Sequence, residues 1–173
     1  MNSIYTVGHS NLHIDHFIGI IKKNNVNMII DIRSVPFSRF YPQFNKERLA
    51  QSLNLANVAY VFEGDRLGGR IKDKDCFLGK QIPERKNKIT EFVDYNELLQ
   101  REWFIQGINS IIELSKEYCV SILCSEEQPL RCHRNLLVAR YLVGLGYQVL
   151  HIRKSGETEE AAFELQQEQM RLF

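Results

Sequence analysis

The chain has 173 residues, 44% of them hydrophobic and 25% charged, which suits one domain with a single sizeable core. Its formal net charge of +1 hides an uneven split, with +5 over residues 1–156 and an acidic remainder. That balance permits an anionic ligand but lacks the strong basic excess usual in nucleic-acid binders. No apolar run approaches the roughly 18 residues of a membrane span, and residues 1–10 lack the order of a signal peptide. The four cysteines are therefore expected as reduced thiols of a cytoplasmic protein that touches no membrane.

Strand and helix patterns alternate along the chain, without repeats or low-complexity tracts. Residues 4–7 read as a short strand ending in Gly8-His9-Ser10-Asn11, and 13–23 as a helix with Ile14, Phe17, Ile18 and Ile21 on one face. Residues 27–32 form a second buried strand, followed at 35–44 by an aromatic, proline-punctuated loop. A helix over 46–55 and a third strand over 59–63 lead into a glycine- and charge-rich excursion at 65–88, a length that signals function or disorder in a compact domain. Residues 96–117 read as helical with a break near Gly107, 118–123 as a fourth strand, 135–143 as a helix and 148–152 as a fifth strand. A closing helix over 158–173 places Phe163, Met170 and Phe173 near one face, for core packing or a dimer contact. The alternation predicts a single-domain, three-layer α/β sandwich, Rossmann-like, with a mainly parallel sheet of about five strands.

With parallel strands, the polar residues after each strand converge. His9, Ser10 and Asn11 follow the first, Asp31, Arg33 and Ser34 close the second, and Cys124, Glu126 and Glu127 follow the fourth. Cys132, His133 and Arg134 fall in or just before the first turn of the next helix. In an open α/β sheet this is where a ligand cleft forms.

Four stretches, YTVGHSN, DIRSVPFSRFYPQFNKERL, LGGR and CSEEQPLRCHR, resemble in order and spacing the domain of unknown function 488 family. The resemblance spans nearly the whole chain. It implies a compact bacterial or archaeal α/β protein with no settled activity, and a DNA- or nucleotide-related role suggested by the genes near which some members are encoded. Its characteristic positions correspond to Gly8, His9, Ser10, Asp31, Arg33, Pro36, Ser38, Phe44, Leu67, Gly68, Gly69, Cys124, Glu126, Pro129, Cys132, His133 and Arg134.

The residues themselves suggest several chemistries. Cys132 at a helix start, beside His133 and flanked by Arg131 and Arg134, is placed where a thiolate is favoured, as a nucleophile or as a half-buried thiol that packs the turn. Cys124 at a strand end reads as core. Six residues separate Cys124 from Arg131, none of them glycine and two of them glutamate, which argues against both a tyrosine-phosphatase loop and a rhodanese-type cradle. No metal site is assigned: Cys124, Cys132, His133 and His9 could supply four ligands, but the spacing lacks the usual close pairs. No cofactor is named by the residues.

Arg33, Arg39, Arg131 and Arg134 suit a phosphate or carboxylate, or else pair with Asp31, Glu126 and Glu127. Phe37, Phe40, Tyr41 and Phe44 could stack a base, although a hydrophobic lid over the core is the better reading. Gly68-Gly69 is a weak phosphate signal. The expectation is an enzyme that hydrolyses, or transfers a group from, a phosphate-bearing substrate, a nucleotide or nucleic-acid component. Cys132, His133, Glu126, Asp31 and His9 are its catalytic candidates, and Arg33, Arg134, Ser10, Ser38, Tyr41, Gly68 and Gly69 its binding candidates. The alternative is a non-catalytic nucleic-acid or nucleotide-binding module. Neither reading sets an oligomeric state.

Overall fold

The computed structural model describes residues 3–84, 92–161 and 163. Its sheet has six strands in the order β3-β2-β4-β1-β5-β6, where β1 is Ile4–Gly8, β2 Met28–Asp31, β3 Ala59–Phe62, β4 Val120–Cys124, β5 Val149–Ile152 and β6 Thr158–Glu160. The first five run parallel, and β6 pairs antiparallel with β5 at the edge. Every residue of β2 and β4 is buried, as strands covered on both faces require.

Alternation along these strands sends neighbours to opposite layers. Ile29 and Leu123 pack with Phe17 and Ile21 of α1 (Ile14–Lys23) and Leu49 and Leu53 of α2 (Lys46–Leu55). Ile30 and Ile122 pack on the other face, with a segment following β4 and with Phe104, Ile108 and Ile111 of the long helix before it. These are the three layers expected. Helix α1 carries Asp15 in its first turn and Lys22 and Lys23 in its last, opposing the helix dipole at both ends.

Between β3 and β4 lie α3 (Gly64–Leu67), α4 (Tyr95–Leu99) and α5 (Glu102–Glu117). The expected break at Gly107 falls instead at Gln100 and Arg101: α5 runs unbroken past Gly107, whose missing side chain admits Leu67. After β4 the helix begins as a π-helical segment, Arg134–Ala139, and continues as α6 (Arg140–Gly144). The closing helix predicted from residue 158 is a strand over its first three residues. Here three consecutive exposed residues find backbone partners in β5, and pairing overrides a helical pattern. Phe163 packs on the core, while Met170, Phe173 and residues 85–88 of the excursion lie outside the described residues. Among the described residues, no helix is long and apolar enough to cross a membrane.

The sheet order positions the site. From β1 the chain leaves along the α1 face to reach β2, and from the adjacent β4 it leaves along the other face to reach β5. Neighbouring strands that diverge in this way open a crevice beyond their carboxyl ends. Gly8 and Cys124 sit side by side in register at that edge, and Asp31 lies one strand away.

Candidate functional site

The turn after β4 is held from below by one arginine. Arg134 is fully buried, and its Nε donates to Thr6 Oγ1 at 3.2 Å, its Nη1 to the Glu126 carbonyl and its Nη2 to the Glu127 carbonyl at 2.8 Å. His9 N–H donates to the Cys124 carbonyl and Ser10 N–H to that of Ser125, tying the turn to the end of β1. Gly8 makes this approach possible, because a Cβ there would overlap the Glu126 carbonyl. The carbonyls at 126 and 127 thus point inward at a cation, the reverse of the inward N–H groups of a phosphate cradle.

Folded in this way, the turn gathers four donor groups. Cys124 Sγ and Cys132 Sγ both donate to Glu126 Oε2, at 3.0 and 3.4 Å. His133 Nδ1 lies 3.5 Å from Cys124 Sγ and 4.0 Å from Cys132 Sγ. All four donor atoms fall within 4.8 Å of one another, a grouping that could hold a metal ion. His133 Nε2 faces the Ile32 carbonyl at 3.2 Å; a carbonyl only accepts, so Nε2 carries a proton, and Nδ1 is the ring nitrogen that faces the two sulfurs. Burial pushes the Cys132 thiol well up, and the neighbouring Cys124 adds to it. At Glu126 burial pushes the carboxyl up, but the thiols, its own N–H and His133 outweigh it and hold the group below its ordinary value.

Next to this cluster lies a second, closed set. Asp31 Oδ1 accepts from Arg33 N and Nε at 3.0 and 2.9 Å, and Oδ2 accepts from Arg33 Nη2 at 2.6 Å and Tyr60 Oη at 2.8 Å. The remaining Arg33 donor, Nη1, reaches His9 Nε2 at 3.1 Å, so His9 accepts there and donates from Nδ1 to the Ser10 carbonyl. Burial, with Arg33 adding to it, lowers the His9 pKa to about 4 and keeps the ring neutral. Its face stacks on Phe44, centroids 4.2 Å apart.

Above these groups opens a cleft of about 510 Å³, lined among others by His9, Ser10, Arg33, Phe37, Ser38, Tyr41, Arg70 and Glu126. A family profile described as domain of unknown function DUF488 matches residues 13–142, three-quarters of the chain and the whole of the segment from α1 through the cluster. The chain belongs to the DUF488 family. No curated protein and no solved structure matches it.

In this DUF488 chain the predicted residues divide into three groups. Ser10, Ser38, Tyr41, Arg33, His9 and Glu126 meet at the cleft, and Cys132 and His133 at the cluster behind it. Asp31 accepts three hydrogen bonds from Arg33 and one from Tyr60, and so anchors Arg33. Arg134 lies beneath the turn and not on the cleft, since a buried guanidinium must saturate its donors with protein oxygens. Gly68 and Gly69 also lie off the cleft and serve close packing: a Cβ on Gly68 would overlap Gly64 and Ser34, and one on Gly69 would stand 2.8 Å from His133 Cγ. Cys132 is fully buried, not half-buried, so desolvation outweighs the thiolate-favouring helix start.

The aromatic loop is not a lid. Phe40 is 88% and Phe37 63% exposed, and of the four aromatics only Phe44 enters the core. Residues absent from the sequence expectation complete the site. Arg70, which ends the LGGR stretch, lines the cleft, and Arg153 clamps Glu127 through two bonds of 2.8 Å. Buried His151 bridges Thr6 Oγ1 and Asn135 Oδ1. Arg70 was legible as a lone cation beside a glycine pair; Arg153 and His151 sit on the fifth strand and its end, where nothing in the local pattern points across the sheet.

Proposed function

We propose that this chain is an enzyme that hydrolyses a phosphate-bearing substrate, a nucleotide or nucleic-acid component, or transfers a group from it, with the cleft as the substrate site. One observation carries the reading: Phe37 and Tyr41 line the same cleft as Arg33 and Arg70. Exposed aromatic faces suit a base, and guanidiniums suit a phosphate. Arg33 brings little net charge, since Asp31 neutralises it. The Arg70 side chain has no carboxylate partner among the described residues, which makes it the main phosphate contact. Glu126 is the carboxylate on that lining in position to handle a proton or orient water.

Thermal shift with nucleoside mono-, di- and triphosphates tests it, with Arg70→Ala and Phe37→Ala beside the native chain. A ligand at 100 times its dissociation constant adds about 2.7 kcal/mol, and the expected result is such a shift in the native chain, lost in both variants. Incubation with the compound that binds then yields a product. The absence of any shift, or a shift undiminished in both variants, overturns the reading.

The binding-module alternative has its own support: Phe40, the most exposed of these rings, adjoins Arg39 on the loop. Under that reading oligonucleotides bind better than mononucleotides, and affinity falls steeply with salt.

A further inference from the structure

We propose that Cys124, Cys132, His133 and Glu126 form a binding site for a zinc-type divalent cation, at the wall of the cleft. The donor set is two sulfurs, one imidazole nitrogen and one carboxylate oxygen, a composition suited to a borderline-soft ion and unsuited to magnesium or calcium, which take oxygen.

The spacing fits the ion as well. Tetrahedral zinc with its usual bond lengths puts two sulfurs ~3.8 Å apart and a sulfur ~3.5 Å from a nitrogen or oxygen. The sulfur-to-imidazole separations here are 3.5 and 4.0 Å, and the sulfur-to-carboxylate separations 3.0 and 3.4 Å. All four donor atoms lie within 4.8 Å of one another, so they would draw together around an entering ion.

The surroundings are built for ligation. A metal-binding histidine needs its second nitrogen held by an acceptor, which fixes the tautomer, and the Ile32 carbonyl does this at His133. Gly69 lies against the same ring where any side chain would collide, so the ring keeps its place. Both thiols aim at one carboxylate oxygen, a convergence that a disulfide pair or a single nucleophilic thiol does not require. The buried Arg134 holds the turn that brings Glu126 over the two cysteines. Sequence spacing conceals the site because the ligand pairs common in zinc proteins are local, whereas here Cys124 and Cys132 stand eight positions apart and meet through the clamped turn.

Glu126 belongs both to the donor set and to the cleft lining, so the cation would face an incoming ligand on its carboxylate side. The proposal does not rest on the nucleotide reading, because cation binding is measured without any nucleotide.

The test titrates the full, reduced, chelator-treated chain with Co²⁺, then displaces it with Zn²⁺. The expected result is one cation per chain, thiolate-to-cobalt absorption and the visible bands of a tetrahedral ion. Cys132→Ser should weaken binding and cut the thiolate absorption to about half, the part left to Cys124, Glu126→Gln should weaken binding at least tenfold while keeping it, and Cys119→Ser should change nothing. Native chain without stoichiometric binding or without the thiolate band overturns the site. So does Cys132→Ser that binds like the native chain, or a Cys124–Cys132 disulfide recovered under reducing conditions. X-ray absorption on the zinc-loaded native chain keeps the test independent of whether a variant folds: two sulfur neighbours at about 2.3 Å support the site, and a shell of nitrogen and oxygen alone overturns it.

Discussion

Arg134 Nη2 donates to the Glu127 carbonyl at 2.8 Å from a position that water does not reach, while the Glu127 side chain is clamped from the outside by Arg153. The two arginines hold the same residue by its backbone and by its carboxylate, and so fix the turn that carries the site. Removing the inner one leaves two carbonyls and the Thr6 hydroxyl without their donor. Arg134→Met is expected to cost about 3 kcal/mol or more in denaturant unfolding, because three neutral acceptors lose their donor at once. An unchanged unfolding midpoint would show that the clamp contributes nothing.

Two glycines should respond in opposite directions. Gly8→Ala forces a Cβ into the Glu126 carbonyl and must displace the turn, so a loss of stability is expected. Gly19 lies within α1, exposed, with nothing within 4 Å of the position a Cβ would take, and alanine there should stabilise by about 0.5–1 kcal/mol. Equal effects at the two positions would contradict the close approach at Gly8.

Acid should destabilise the fold through His151. Burial, with the Arg134 and Arg153 charges adding to it and Glu159 opposing, lowers its pKa from 6.5 to about 4. The native ring stays neutral while the unfolded ring takes up a proton, so this contribution is complete above pH 6.5 and is lost as pH falls through 4. One proton corresponds to a slope of about 1.4 kcal/mol per pH unit inside that window. Chemical denaturation between pH 7 and 4 checks it: His151→Gln should reduce the slope by about one proton, and an unaltered slope would remove His151 from the account.

Exposure of the aromatic loop has a direct consequence. Phe40→Ser is expected to leave stability within about 0.5 kcal/mol, because the ring is 88% exposed. Phe44→Ala, which removes the ring stacked on His9 and set edge-on to Phe17, should cost about 3–5 kcal/mol. A large loss at Phe40 would restore the lid.

Asp31→Asn isolates the buried pair. It leaves the Arg33 guanidinium buried opposite a neutral amide, at an expected cost of about 3–5 kcal/mol, whereas Tyr60→Phe removes a single hydrogen bond to the same carboxylate and should cost about 1 kcal/mol. Calorimetric or denaturant stabilities that rank the two the other way would refute the assignment.

Local pattern was enough to set the layers and the edge of the sheet at which the polar residues meet. The apolar runs 27–32 and 118–123 read as buried strands, which the structure places at 28–31 and 120–124, and the helical stripe of α1 packs against them. These are local periodicities, and local periodicity survives any arrangement of the rest. What each polar residue does at that edge is assigned by packing in three dimensions. Arg33 and Arg134 look alike in the chain, yet one is neutralised by Asp31 at the cleft and the other sinks under the turn to saturate carbonyls. Cys124 and Cys132 share a carboxylate only because Gly8 lets the turn close over β1. Burial and saturation of donors are properties of three-dimensional neighbours, and those neighbours come from segments as distant as Thr6 and Arg134.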